Sequence, residues 1–202
     1  MIEYSSINLD ITHRCLLQCP KCMRQEHPGL HKRGSDITLE SMYKISKSFK
    51  NIIFCGQMGD PIYHPKFLQI LEICKNNNVS ISTNGQGKNI NWWEEAAFIS
   101  SKQHWDFALD GLPHESHLYR IGQDGNSVFD TMKHLASLGS NVLWKYIVFK
   151  YNQDSIPEAR KLAEDNNIDF LLVESSRWDK PYDKYKPDFH YKNRPDRSEM
   201  FK

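Results

Sequence analysis

The chain has no cysteine after Cys74, no long apolar run and no excess of charge of one sign. Each absence excludes something. A formal net charge of +1 over 202 residues leaves no global footprint for nucleic acid or a membrane surface. No apolar run approaches the ~20 residues of a membrane span. Met1-Ile2-Glu3-Tyr4-Ser5-Ser6 lacks a basic start and an apolar stretch, so it does not read as a signal peptide. Five cysteines, an odd number, with no export signal fit a reducing cytoplasm rather than a disulfide framework. The length suits one α/β domain with a substantial core, and no repeat is visible.

Three of the five cysteines are crowded into Cys15-Leu16-Leu17-Gln18-Cys19-Pro20-Lys21-Cys22. The preceding Ile7, Leu9 and Ile11 alternate with polar residues as a strand does. The thiols therefore sit on the loop leaving a first strand, where α/β sheets and barrels keep their chemistry. Three thiolates on a short loop can converge on a metal. A closed zinc site needs a fourth ligand, for which His13, His27 and His31 are the near candidates. An iron–sulfur cluster is held by thiolates, usually four, so three would leave one iron open. Cys19-Pro20-Lys21-Cys22 is also a Cys-x-x-Cys redox pair by spacing. That reading expects a helix next, and His27-Pro28-Gly29 argues against a long one. Unpaired buried thiols are the remaining alternative.

Beyond the loop, the chain alternates strand and helix. Residues 23 to 37 read as a long polar loop. Thr38 caps a helix lined by Leu39, Met42, Tyr43 and Phe49, and Ile52 to Cys55 is a buried strand. A helix after Pro65 carries Phe67, Leu68, Leu71 and Cys74. Strands follow at 79–83, 105–110, 142–149 and 168–173. The helices between them are expected to be capped by Asn91 and by Asn126 or Ser127, with a last one lined by Ile156, Ala159, Leu162 and Ala163. Gly139 closes the helix before the fifth strand. Six such alternations predict parallel βαβ units. Cys55 and Cys74, isolated from the motif, read as core thiols.

Cys-x3-Cys-x2-Cys after a first strand resembles the radical S-adenosylmethionine (SAM) superfamily. The resemblance implies an α/β fold, a partial (β/α)6 barrel of parallel strands that is TIM-barrel-like. It implies Cys15, Cys19 and Cys22 as ligands of a [4Fe-4S] cluster whose open iron is chelated by SAM. Reduction then cleaves SAM to a 5′-deoxyadenosyl radical that abstracts hydrogen from a substrate. Gly56-Gln57-Met58-Gly59-Asp60-Pro61 is similar to the family's Gly-Gly-Glu-Pro turn, which holds the SAM amino group. Gly59 and Pro61 match; Asp60 stands for Glu and Met58 for the first Gly. Ser82-Thr83-Asn84-Gly85 resembles a Ser-Thr-Asn-Gly stretch, implying SAM contacts by Ser82 and Asn84. Asp110-Gly111 with Tyr119-Arg120 resembles a pattern of the SPASM-related, peptide-modifying branch. It implies Asp110 at ribose or substrate and Arg120 at the SAM carboxylate. Trp144 to Asn152 also resembles the fifth strand of that branch. Lys145, on one face with Leu143 and Ile147, is a catalytic candidate beside Asp110 if that face lines the barrel.

Lys21 occupies a position that is often aromatic in the family. With no cysteine after Cys74, the auxiliary-cluster extension of SPASM enzymes is not in this sequence, which is a minimal version or a fragment. Residues 1–174 are expected to form the core domain. Residues 175–202 read as a polar, aromatic-containing tail lying across the barrel. Its basic residues interleave with Trp178, Tyr182, Tyr185, Phe189 and Tyr191, but its acidic residues argue against nucleic acid. The implied partners are a peptide or small-molecule substrate and a reductant such as flavodoxin or ferredoxin. A zinc- or cluster-binding module without catalysis, or a degenerate member of the family, is the alternative.

Overall fold

The computed structural model describes residues 5–29, 34–175, 177–178 and 183–189. Six parallel strands form one sheet in the order of the sequence: β1 Ser6–Leu9, β2 Asn51–Phe54, β3 Asn78–Thr83, β4 Gln103–Ala108, β5 Asn141–Val148 and β6 Asp169–Glu174. Between them run α1 Leu39–Ser48, α2 Phe67–Ile73, α3 Ile90–Phe98, α4 Gly125–Ser137 and α5 Ile156–Asp165. This is the expected α/β architecture of a partial (β/α)6 barrel.

Alternation along each strand divides the sheet into two faces of different chemistry. Ile52, Phe54, Val79, Ile81, Trp105, Phe107, Val142, Trp144, Tyr146 and Val148 point to the helices and form the core. Trp93 of α3 packs edge-on to Trp105 at 5.4 Å between ring centroids, and Phe67 of α2 meets Trp105 at 6.5 Å. The opposite, inner face carries Ile53, Ser80, Ser82, His104, Asp106, Ala108, Leu143, Lys145 and Ile147. Register keeps these as neighbours: Ile53, Ser80 and His104 align, as do Ser82, Asp106 and Leu143, and Ala108 with Lys145. Lys145 therefore lies on the inner face, half-buried.

Several local expectations are corrected. α3 is capped by Asn89, whose side chain accepts from Trp92 N at 2.9 Å, not by Asn91. α4 is capped by Asp124, which accepts from Ser127 N at 3.1 Å, and begins at Gly125. Gly125 stands there because a Cβ would collide with the Pro113 carbonyl and with Ser116 Oγ. Tyr43 is 55 % exposed, and α1 buries Met42 instead. The loop at 23–37 contains a helical turn, Met23–Glu26, with Cys22 at its N-cap position but making no side-chain capping bond. Cys74 lies in the core, but Cys55 is only half-buried. It follows Phe54 onto the inner face by alternation, where Asp10 acts on its thiol. Thr38 does cap α1, and Gly139 ends α4 with φ +81°.

Candidate functional site at the carboxyl ends of the strands

The loop after β1 is held by three sets of bonds. Thr12 Oγ1 donates to Asp36, and Arg14 forms a two-point pair with the same carboxylate, Nη2 to Oδ2 at 3.0 Å. Asp60 N donates to Arg14 O at 2.8 Å. Gly59 lies so close that a Cβ would sit 2.8 Å from His13 C and 2.9 Å from Arg14 N. Asp10 Oδ1 in turn accepts from Gln57 N and Met58 N at 2.7 and 3.0 Å. The Gly56–Pro61 turn is thus fastened directly against the residues that lead into Cys15.

Cys15, Cys19 and Cys22 are free and partly exposed. Cys15 Sγ accepts from Asn84 Nδ2 at 3.4 Å and from Leu17 N at 3.5 Å. Burial raises the Cys15 pKa, with the Asp60 charge adding to it and Arg24 opposing it. Burial pushes the Cys19 thiol to about 11, against the pull of Arg120. Burial therefore favours the thiol form of these side chains, and a metal would have to displace their protons. Among the described residues, no three Cys, His, Asp or Glu side chains are gathered tightly enough to hold one metal ion. A zinc ion needs its sulfurs at about 2.3 Å from one point. In a cluster each thiolate binds its own iron, so the two groups demand different loop shapes. Of the candidate fourth ligands, His13 is half-buried, His27 is exposed, and His31 lies outside the described residues. Three soft thiolates with Arg24 and Arg120 nearby fit an iron–sulfur cluster by donor chemistry.

Asp60 is 4 % exposed, and its carboxylate serves the protein. Oδ1 accepts from Ile62 N at 3.2 Å; Oδ2 accepts from Thr83 Oγ1 at 3.1 Å and Asn84 N at 2.6 Å. Even so, burial raises its pKa to about 6, the three donors and Arg120 opposing. Asn84 is the hub between loops. Its Oδ1 accepts from Gln86 N, its carbonyl accepts from Gln123 Nε2 at 2.6 Å, and its amide reaches Cys15. Tyr63 OH donates to Gln86 O at 2.5 Å. Pro61 opens a short helical turn, Pro61–Tyr63. Ser82 points instead along the inner face to Asp106, 3.5 Å from its Oδ2.

Asp110 and Arg120 are each other's partners. Arg120 Nε lies 2.7 Å from Asp110 Oδ2, without hydrogen-bond alignment, and Ile147 N donates to Oδ1 at 2.9 Å. The pair is buried, at 12 % and 0 % side-chain exposure, and sits close enough for Arg120 to act on Cys19. Lys21 pairs with Asp183 at 2.9 Å, and its carbonyl accepts from Arg177 Nη1 at 2.9 Å. Described parts of the tail thus reach the cysteine loop. Tyr185 packs on Tyr119 and Phe149, and Trp178 on Phe149, while Phe189 is exposed. Tyr182 and Tyr191 lie outside the described residues.

Sequence reasoning missed Asp10, Asp36, Gln123, Ser80 and Asp106. Asp10 was findable, since it continues the polar alternation of β1; the other four join segments far apart in sequence.

The chain matches no protein-family model. It is 24 % identical to the "tungsten-containing aldehyde ferredoxin oxidoreductase cofactor-modifying protein" of Pyrococcus furiosus, over 82 % of this chain and 49 % of that one. It superposes on SuiB of Streptococcus suis, solved with S-adenosylmethionine, at a TM-score of 0.70 and 16 % identity. That match covers 93 % of this chain and 44 % of SuiB. The fold is that of the radical SAM enzymes. Two further solved structures share it. anSMEcpe with bound AdoMet and a peptide matches at a TM-score of 0.69 and 16 % identity, over 90 % of this chain and 55 % of that one. Methylornithine synthase matches at 0.61 and 15 % identity, over 85 % and 53 %. The chain spans about half the length of the curated relative. Among the described residues, no helix is long and apolar enough to cross a membrane.

Proposed function

We propose that this chain forms the core of a radical SAM enzyme, with Cys15, Cys19 and Cys22 as ligands of a [4Fe-4S] cluster. The observation that carries the reading is the placement of three free, half-exposed thiols at the carboxyl end of β1, tied to the β2 and β3 loops through Arg14 O and Asn84. When bound, such a cluster with SAM supplies reductive cleavage of SAM and hydrogen abstraction from a substrate. The chain's own residues do the positioning. Asn84 directs its amide at Cys15, and Asp60 fixes Asn84 through its backbone N–H. Arg120 and Arg24 supply positive charge beside the thiolates. Gly59, Asp60 and Pro61 flank the cysteine loop where SAM would be held, and Asn84, Asp110 and Arg120 complete that side, while Ser82, the other expected SAM contact, turns to Asp106. Lys145 and Asp106 lie on the inner face, where substrate would enter.

A peptide or small molecule is the substrate class favoured here. SuiB has been solved bound to precursor peptide SuiA, and anSMEcpe with a peptide. A reductant such as flavodoxin or ferredoxin, and a cytoplasmic setting, go with this reading. One observation favours a degenerate protein that holds the cluster but not SAM: the Asp60 carboxylate already accepts from three protein donors, and Arg120 already faces Asp110.

The test is anaerobic. The protein is reconstituted with iron and sulfide, reduced and given SAM, and 5′-deoxyadenosine is measured by mass spectrometry. The comparison is a Cys15→Ala, Cys19→Ala, Cys22→Ala variant. Product that depends on the three cysteines is expected. A brown protein giving none supports the degenerate reading, and a colourless protein holding one zinc refutes the proposal.

A further inference from the structure

The inner face of β3 to β5 carries a buried carboxylate that the site above does not use. Asp106 is 5 % exposed. Its Oδ2 accepts from Ser80 Oγ at 3.2 Å and Ser82 Oγ at 3.5 Å. Its Oδ1 is buried without a hydrogen-bond donor; His104 Nε2, 3.5 Å away, makes a long contact but no hydrogen bond to it. A buried acceptor left unsatisfied is costly and calls for an explanation. Its apolar neighbours on this face, Leu143 in register with it and Ala108 beyond, have no side-chain donor to offer it.

The arrangement has a definite polarity. Both serine hydroxyls give their protons to Oδ2, which leaves each oxygen able to accept. With Oδ1, that makes three acceptor positions around one negative charge. Burial raises the Asp106 pKa, and His104, Lys145 and the serines oppose it without cancelling it. Lys145 sits two register pairs further along the sheet and acts on Asp110 as well as Asp106, so its charge is shared between two carboxylates. A group with three donors and one positive charge complements three acceptors and one carboxylate. A carboxylate or phosphate does not.

We infer that Asp106, with Ser80 and Ser82, is the recognition site for a primary ammonium group on the substrate, such as a lysine-like side chain or a free amino terminus. The inference rests on the proposed function only in taking the inner face as the place where substrate binds. Asp106 is a specificity residue here and takes no part in SAM cleavage.

The test uses the reconstituted protein with SAM, under anaerobic conditions, and isothermal titration calorimetry. The probes are the N-acetyl methylamides of lysine, norleucine and glutamate. The lysine probe is expected to bind at least tenfold more tightly than the norleucine probe. Asp106→Asn should reduce that preference tenfold or more with unchanged circular dichroism, and Ser80→Ala should reduce it about threefold. If Asp106→Asn does not fold, Ser80→Ala carries the test. Equal binding of lysine and norleucine probes overturns the inference, as does an unchanged preference in the variants or no measurable binding of any probe. Tighter binding of the glutamate probe overturns it too, and makes Lys145 the anchor. Cluster absorbance and 5′-deoxyadenosine are read on the same wild-type preparation. An ammonium preference without SAM cleavage would sink the radical reading alone, and cleavage without the preference would sink this one alone.

Discussion

Asp60 is the sharpest test of how the site is built, because two forces act on it in opposite directions. Three donors and the charge of Arg120 favour its ionised form, and complete burial opposes it. Burial wins, and the pKa rises from 3.8 to about 6. A rise of roughly two units corresponds to about 3 kcal/mol between the two protonation states. The folded pKa is above the unfolded one. The stability associated with Asp60 is therefore fully present below pH 3.8 and is lost as pH rises through about 6. Asp60→Asn removes the titration and keeps the shape. Its amide must set a donor against Ile62 N or Asn84 N, a pH-independent loss of about 1–3 kcal/mol. Urea unfolding of the metal-free protein and the variant, from pH 4 to pH 8, separates the two effects. The advantage of wild type over Asp60→Asn should shrink by about 2 kcal/mol between pH 4 and pH 7.5, because part of the effect is already lost at pH 4. An advantage that grows over that interval would refute the reasoning. It would mean that the donors outweigh burial and hold the carboxylate below its usual range.

Three further outcomes follow from the same geometry. Gly59→Ala places a methyl 2.8–2.9 Å from backbone atoms of His13 and Arg14, which cannot swing aside as a side chain can. The expected loss is about 1–3 kcal/mol, read by thermal unfolding, together with a lower iron content after reconstitution. Arg120→Met leaves Asp110 buried without its 2.7 Å partner and with only the weaker influence of Lys145, which costs about 3–5 kcal/mol, and Asp110→Asn with Arg120→Met should recover most of it. Chemical denaturation of the single and double variants checks this. Gln123→Ala strips a donor from the buried carbonyls of Asn84 and Ala108, at 2.6 and 3.1 Å. A loss of about 1–3 kcal/mol is expected, measured by denaturation, with a weakened Asn84–Cys15 contact seen as slower cluster uptake.

The architecture was legible because packing imposes a strong local pattern. Every strand presents alternate large apolar residues to the helices, so Trp105 and Phe107, or Trp144, Tyr146 and Val148, announce a strand within a few residues. Helix starts were less legible. Asn91 and Asn126 are good caps by residue type, but Asn89 and Asp124 are the ones whose side chains meet a free N–H three residues on. The three cysteines were legible for a similar reason, since their spacing is local. What holds them was not. Asp36 reaches Arg14 across 22 residues, Asn84 reaches Cys15 across 69, and Gln123 reaches Asn84 across 39. No periodicity encodes those pairs, and only the parallel order of the sheet brings them to one end.

The same alternation that reveals the strands conceals the inner face. A polar residue between two large apolar ones reads as the solvent side of an ordinary strand, and Asp106, between Trp105 and Phe107, reads that way. In a flat sheet covered on one side, that reading would be right and Asp106 would be wet. Here Asp106 is 5 % exposed and Ser80 3 %, so a carboxylate and a hydroxyl are enclosed on a face they share with Ile53 and Leu143. A fold gains nothing in stability from enclosing a carboxylate among hydroxyls rather than leucines. The arrangement is better explained by a ligand that completes it than by the needs of folding. This is why the binding preference of Asp106, rather than its contribution to stability, is the measurement that bears on it.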